Sequence, residues 1–200
     1  MPRPWAFLNR KYTRPHGRRG DDLRNAQLVA RNHAVSDLLE PGSVFKPASL
    51  LVALDDGVVD TLCRVETGNG VWNMYGRDMK DHNWRKGGYG RLTFAQTLWY
   101  SSNIGVSRII DDHYRNNPEK FVKGIHRIGL ADDLKIPLVG ATPARIRMPH
   151  KNSHGQYDNW SKTALPWMSI GYETQVPPIS TLTFYNAIAN NGKMMRPRFV

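Results

Sequence analysis

From about Asn32 onward, the chain alternates between two kinds of stretch. In one, apolar residues recur every three or four positions; in the other, Gly, Pro and Asn interrupt any period. The first kind predicts helices. One begins near Ser43 and runs through Leu50, Leu51, Val52 and Leu54 to Asp55, with Gly57 placed for a left-handed C-terminal cap. Pro47 falls at the end of its first turn, where a missing N–H is nearly tolerable and a slight distortion is expected. A second helix runs from about Thr93 through Phe94, Ala95, Leu98 and Trp99, and a third from about Asn103 through Val106, Ile109 and Ile110, with Ser101 and Ser102 at the joint. Pro118 opens a fourth, which carries Phe121, Val122, Ile125 and Ile128 on one face and closes at Gly129. A last helix covers about residues 181–189 and stops at Asn190, Asn191 and Gly192.

The remaining stretches read as strands, turns and loops. Residues 67–90 are dense in Gly and Asn, with Trp72, Tyr75, Trp84 and Tyr89 interleaved, which predicts short strands and turns. Those aromatics read as packing rather than as a platform for a glycan strand. Residues 131–166 read as loop, punctuated by Pro137, Pro143, Pro149 and Pro166, and residues 194–200 as the start of a strand. There is no internal repeat.

Composition narrows the class. Two hundred residues with a 40% hydrophobic fraction suit one globular domain with a real core and exclude an apolar-poor disordered chain. The formal charge of +11 invites a nucleic-acid partner, but residues 1–31 hold +6 of it, leaving +5 on the other 169 residues. That Arg- and Pro-rich stretch shows no helical or alternating pattern. It reads as a disordered or foreign segment before a domain covering residues 32–200, and no nucleic acid is expected as a partner. No window reaches the 18 or more apolar residues of a membrane span, and residues 1–7 hold no apolar run long enough for a signal peptide. Cys63 is the sole cysteine and reads as a structural thiol. His82, His113 and His126 lack ligand spacing, so no metal is expected.

The chemistry concentrates in two short segments. In Glu40-Pro41-Gly42-Ser43-Val44-Phe45-Lys46-Pro47, a hydroxyl and an amine stand three residues apart at a helix start. Residues so spaced share a helix face, and a neutral Lys46 amine could take the Ser43 proton during nucleophilic attack. The helix N-terminus favours a developing anion at the same place. Acting as a base would require the Lys46 pKa to fall well below the free value of about 10.4. The second segment, Ser101-Ser102-Asn103, lies 58 positions after Ser43. A hydroxyl and a carboxamide two apart can point into one cleft, the first passing a proton and the second binding a carbonyl or a lysine.

Ser-x-x-Lys and Ser-x-Asn are two of the three signatures of penicillin-binding proteins and serine β-lactamases. The longer wording, Leu39-Glu40-Pro41-Gly42-Ser43-Val44-Phe45-Lys46-Pro47 and Ser101-Ser102-Asn103-Ile104-Gly105-Val106-Ser107, resembles the class B penicillin-binding proteins of cell division and elongation. So does Ser169-Ile170-Gly171-Tyr172-Glu173, followed by Pro177-Pro178 and a helix ending Ala189-Asn190-Asn191-Gly192. The resemblance covers about residues 32–200. It implies an α/β transpeptidase fold, an antiparallel sheet flanked by helices, and a D,D-transpeptidase acting through an acyl-serine on D-Ala-D-Ala stem peptides. Under it, Ser43 is the nucleophile, Lys46 the base in acylation, Ser101 the proton shuttle and Asn103 the group orienting substrate and lysine. The implied partners are peptidoglycan stem peptide, β-lactam antibiotics and other proteins of cell-wall synthesis or the divisome. Neither cofactor nor metal is implied, and the resemblance implies a parent protein anchored in the inner membrane facing the periplasm. A serine β-lactamase-like hydrolase and a non-catalytic penicillin-binding sensor are the alternatives.

The family's third signature, Lys-Thr-Gly or Lys-Ser-Gly, occurs nowhere in the sequence. Ser161-Lys162-Thr163-Ala164 has Ala in place of Gly and precedes the residues 169–173 that the signature should follow. The expectation is a transpeptidase domain incomplete at both ends, with weak or absent activity of its own.

Overall fold

The apolar faces read from the sequence become a helical pack in the computed structural model, which describes residues 31–199. The basic segment therefore lies outside the described residues, except for Arg31. A short helix α1 (His33–Ser36), capped by the Asn32 side chain, precedes a 3-10 turn (Gly42–Phe45) and α2 (Lys46–Asp55). Next come β1 (Arg64–Glu66), β2 (Val71–Met74), β3 (Arg77–Lys80), a second 3-10 turn (Trp84–Lys86) and β4 (Arg91–Thr93). The chain continues through α3 (Phe94–Trp99), α4 (Asn103–Tyr114), α5 (Pro118–Arg127), β5 (Arg145–Ile146), α6 (Ala164–Ser169), β6 (Thr174–Gln175) and α7 (Pro178–Ala189).

Helices α2, α4, α5 and α6 pack on one another, and Val52, Ile104, Ile110, Phe121, Ile125, Leu165 and Met168 are fully or almost fully buried among them. Gly124 lets α5 approach α2, since a Cβ there would sit 2.3 Å from Val52 Cγ1. Asp56, the C-cap of α2, accepts the Tyr114 hydroxyl at 2.8 Å and Arg127 Nη2 at 2.7 Å, which ties α2 to the far ends of α4 and α5. The strands form three antiparallel pairs, β1 with β4, β2 with β3, and β5 with β6. Between β2 and β3, Tyr75 and Gly76 both have positive φ, as a two-residue type I′ hairpin requires. Antiparallel pairing among packed helices agrees with the expected α/β class.

The sequence reading departs from the structure at four places, three involving proline or a missing strand partner. Residues 131–166 are not all loop: β5 lies within them, and α6 starts at Ala164 with Pro166 in its first turn. First-turn N–H groups have no intrahelical acceptor, so a proline there removes nothing. For the same reason α7 opens at Pro178, three residues before the expected start. Helix α1 is too short for a period to reveal it. Residues 194–199 form no strand: Met194 packs against Gly129, and Arg196 donates to the Lys135 carbonyl. A strand exists through its ladder with a neighbour, and these contacts go to loops instead.

Of the four aromatics Trp72, Tyr75, Trp84 and Tyr89, two pack on the core and two, Tyr75 and Trp84, are exposed. Trp72 lies on the core with the Arg108 guanidinium 4.0 Å over its ring, and Tyr89 stacks on Tyr100 at 4.7 Å. Cys63 is half-buried, and desolvation raises its thiol pKa, as expected for an inert thiol. No helix among the described residues is long and apolar enough to cross a membrane.

Candidate active site

Two turns bring the predicted residues together. The first is the 3-10 turn that leads into α2. Gly42 takes a left-handed φ of 60°, Ser43 is exposed, and the Ser43 carbonyl accepts the Lys46 N–H. Lys46 is the first residue of α2 and is fully buried. The C-terminal end of α6 holds this turn from outside. The Gly42 N–H donates to the Gly171 carbonyl at 3.0 Å, and a Cβ on Gly171 would lie 2.1 Å from the Gly42 oxygen. Glu173 donates its N–H to Glu40 Oε1 at 2.9 Å and pairs with Arg147 at 2.5 Å, while Leu39 bridges Val176. From α7, the Tyr185 hydroxyl donates to the Val44 carbonyl at 3.1 Å. The backbone around Ser43 is thus clamped from three sides.

The second turn joins α3 to α4. Helix α3 starts with a capping box between Thr93 and Gln96, which satisfies N–H groups at both positions. It ends in a Schellman motif: Ser101 N–H donates to Leu98 O at 3.0 Å and Ser102 N–H to Thr97 O at 2.8 Å. The left-handed position of this motif falls to Ser101, at φ 50°. Ser102 then caps α4 by accepting the Gly105 N–H at 2.8 Å, so one helix ends and the next begins within two residues.

Lys46 links the two turns. Its Nζ donates to the Ser101 carbonyl at 2.6 Å, to Ser101 Oγ at 3.0 Å and to Asn103 Oδ1 at 2.7 Å. Three acceptors match the three donors of an ammonium. The Asn103 amide is oriented from its other end, since its Nδ2 donates to the Lys80 carbonyl at 2.8 Å. Burial pushes the Lys46 pKa down from 10.5 to about 8, with the Asp81 carboxylate opposing the fall. At neutral pH a usable fraction of this lysine is a free amine, roughly a tenth at pH 7.

Lys46, Ser101 and Asn103 therefore meet directly. Ser43 stands on the turn that begins α2, three residues before Lys46, with its hydroxyl residue exposed and outside the set of three acceptors. Two further residues shape the site: Asp81, which no motif announces, and Gly171, which lies in the segment Ser169–Glu173 without its contact being readable there. Asp81 is buried and accepts from Ser102 Oγ and the Ile104 N–H, 21 and 23 positions away. Gly171 contacts Gly42 across 129 positions, and only its lack of a side chain allows this.

Comparison with known proteins bears on what the arrangement belongs to. The family model for the penicillin-binding protein transpeptidase domain matches residues 6–200. The probable peptidoglycan D,D-transpeptidase PbpC of Pseudomonas aeruginosa is 29% identical over 170 residues, covering 85% of this chain and 27% of its own length. The peptidoglycan D,D-transpeptidase FtsI of Escherichia coli K12 is 28% identical over 162 residues, with 81% and 25% covered. Among solved structures, the transpeptidase domain of Burkholderia pseudomallei penicillin-binding protein 3 shares 32% identity at a TM-score of 0.70, with 84% of this chain and 46% of that chain covered. A peptidoglycan glycosyltransferase from Burkholderia ambifaria matches equally well in identity and TM-score, with 83% and 48% covered. The chain spans about a quarter of the length of these curated relatives and just under half of the two solved chains. With the family model matching nearly its whole length, the chain belongs to the penicillin-binding protein transpeptidase domain family.

Proposed function

We propose that this chain carries the acylating site of a D,D-transpeptidase of peptidoglycan synthesis. Ser43 is the nucleophile, Lys46 the general base, Ser101 the proton shuttle and Asn103 the residue that orients the lysine and the substrate amide. The supporting observation is the buried Lys46, whose amine titrates near pH 8 and is held against Ser101 Oγ and Asn103 Oδ1.

The steps follow from the protons these groups can hold. A neutral Lys46 takes the Ser43 hydroxyl proton as Oγ bonds to the carbonyl carbon of the penultimate D-alanine. The carbonyl π pair moves onto oxygen, near the N–H groups that open α2. As the pair returns, the C–N bond breaks. The departing D-alanine nitrogen receives a proton from Ser101 Oγ, which Lys46 reprotonates across their 3.0 Å hydrogen bond. The resulting ester on Ser43 passes to an acceptor amine, and proton transfer through the same two groups returns the lysine to its starting state. A β-lactam undergoes the first step, but its leaving nitrogen stays tethered to the acyl group.

The same reading implies that the stem peptide and β-lactams are ligands. It implies a parent protein anchored in the inner membrane with its site facing the periplasm, beside other cell-wall synthesis proteins. Incubating the protein with a fluorescent penicillin and mapping the labelled peptide by mass is the direct test. With no Lys-Thr-Gly or Lys-Ser-Gly in the sequence, the expected label is slow and weak, on Ser43 and absent from Ser43→Ala. A label that persists in Ser43→Ala, or none in the native protein after prolonged exposure, overturns the proposal.

A further inference from the structure

A carboxylate reaches the second turn from the strand side. Asp81, the residue after β3, is 2% exposed, and both of its oxygens are engaged. Oδ2 accepts the Ser102 hydroxyl at 2.8 Å and Oδ1 accepts the Ile104 N–H at 3.1 Å. Its own backbone is fixed as well, with its N–H on the Gly70 carbonyl at 3.0 Å and its carbonyl accepting the Trp84 N–H at 3.2 Å. The preceding Lys80 supplies the carbonyl that orients Asn103. Residues 80 and 81 together grip residues 102–104, so the turn that carries Ser101 and Asn103 cannot shift relative to β3 without breaking three hydrogen bonds.

The charge matters as much as the grip. Ser102 Oγ and the Ile104 N–H are neutral donors, and the start of α4 offers only partial positive charge. A buried carboxylate so placed needs a cation to offset its desolvation. The charged groups around Lys46 are directed elsewhere. Lys80 Nζ lies over the Trp84 ring at 4.5 Å, and on α4 Arg108 covers Trp72 while Asp111 accepts the Tyr75 hydroxyl at 2.7 Å. On α5, Lys120 and Arg127 pair with Asp56 at the opposite end of α2, and α6 carries no charged side chain. Asp81 instead sits on the turn that holds Lys46, and its carboxylate opposes the fall in the Lys46 pKa that burial causes.

We infer that Asp81 is a positioning residue of the acylating site, pinning residues 102–104 so that Ser101 Oγ and Asn103 Oδ1 face Lys46, and acting as the buried anion that balances the lysine. The inference rests on the reading of Ser43, Lys46 and Ser101 given above.

Two measurements separate the electrostatic and positional parts, and one of them needs no catalysis. The first is the titration midpoint of Lys46, followed by NMR in protein labelled with carbon-13 at lysine Cε and expected near pH 8 in the native protein. The second is the pH profile of penicillin labelling. Asp81→Asn removes the charge at constant shape, and the Lys46 midpoint is expected to fall by about one pH unit. The rise of labelling with pH moves down with it, because the base works as the free amine. The plateau drops roughly ten-fold, since an amide has one acceptor oxygen where two donors must be met. Asp81→Glu keeps the charge and loses the fit, so its midpoint stays near that of the native protein while its plateau also drops. Ser102→Ala behaves like Asp81→Glu and serves if Asp81→Asn does not fold.

An unmoved Lys46 midpoint in folded Asp81→Asn overturns the inference. So does native-rate labelling in Asp81→Glu or Ser102→Ala. If penicillin fails to label the native protein at Ser43, the acylation reading falls, while the Lys46 titration still decides whether Asp81 acts on the lysine.

Discussion

Helices α3 and α6 end alike and differ in one residue. Both close with a Schellman motif: at α6, Gly171 N–H donates to Met168 O at 2.9 Å and Tyr172 N–H to Trp167 O at 3.0 Å, repeating the pattern at Leu98 and Thr97. Both left-handed residues lie beside the candidate site, with φ of 86° at Gly171 and 50° at Ser101. Gly171 is the residue the motif favours, and here the missing side chain also lets α6 touch the Ser43 turn. Ser101 accepts the cost of a left-handed L-residue, of order 1 kcal/mol, and in return its carbonyl and hydroxyl both face Lys46. Glycine stands where the backbone alone is needed, and serine where a hydroxyl must sit on the same bend.

Gly171→Ala places a Cβ 2.1 Å from the Gly42 oxygen and 2.6 Å from its nitrogen, at a φ that alanine resists. Both atoms are backbone and cannot swing away. A loss of about 3 kcal/mol or more is expected in denaturant unfolding, together with loss of penicillin labelling as the Ser43 turn is displaced.

Lys46 tests what ties the serine bend down. Its pKa is about 8 in the folded protein against 10.5 for an unperturbed lysine, so between those values the unfolded chain binds more protons and stability rises with pH. From pH 8 to 10 this contributes about 2 kcal/mol. Lys46→Met should lack that rise and should not be labelled. Taking the difference between the two proteins removes the opposite trend from Cys63 and the raised tyrosines, which both proteins share. A difference that stays constant across the window would remove the basis for an active amine.

Ser101→Gly gives the smallest shift. Relieving the left-handed serine is expected to stabilise the fold by about 0.5–1 kcal/mol, less what the lost hydroxyl contributed to Lys46. Labelling should fall. Ser101→Ala loses the same hydroxyl but keeps a Cβ at that φ, so a Ser101→Gly no more stable than Ser101→Ala would mean that Ser101 is not strained.

Much of this arrangement was legible before any coordinates. The helices around residues 43–55, 93–110 and 118–128 have apolar periods and caps within a few positions of each other, which is the range over which spacing reports geometry. Ser43, Lys46, Ser101 and Asn103 were found because each pair lies two or three residues apart. Asp81, and the contact that Gly171 makes with Gly42, escaped for the opposite reason. Their partners are 21 to 129 positions away, and nothing local distinguishes a gripping aspartate from a solvated one, or a contact glycine from a turn glycine. Pro166 and Pro178 misled because proline both stops helices and starts them, and only the cap geometry decides which.

The tight turn at Gly42–Phe45 also acts as a ruler. In a 3-10 coil, positions three apart eclipse one another, whereas in an α-helix neighbours three and four apart straddle the same line. A motif read across such a coil tolerates only one length. Inserting or deleting a single residue between Ser43 and Lys46 would turn the two side chains about a third of a revolution out of register, even if every side chain were retained.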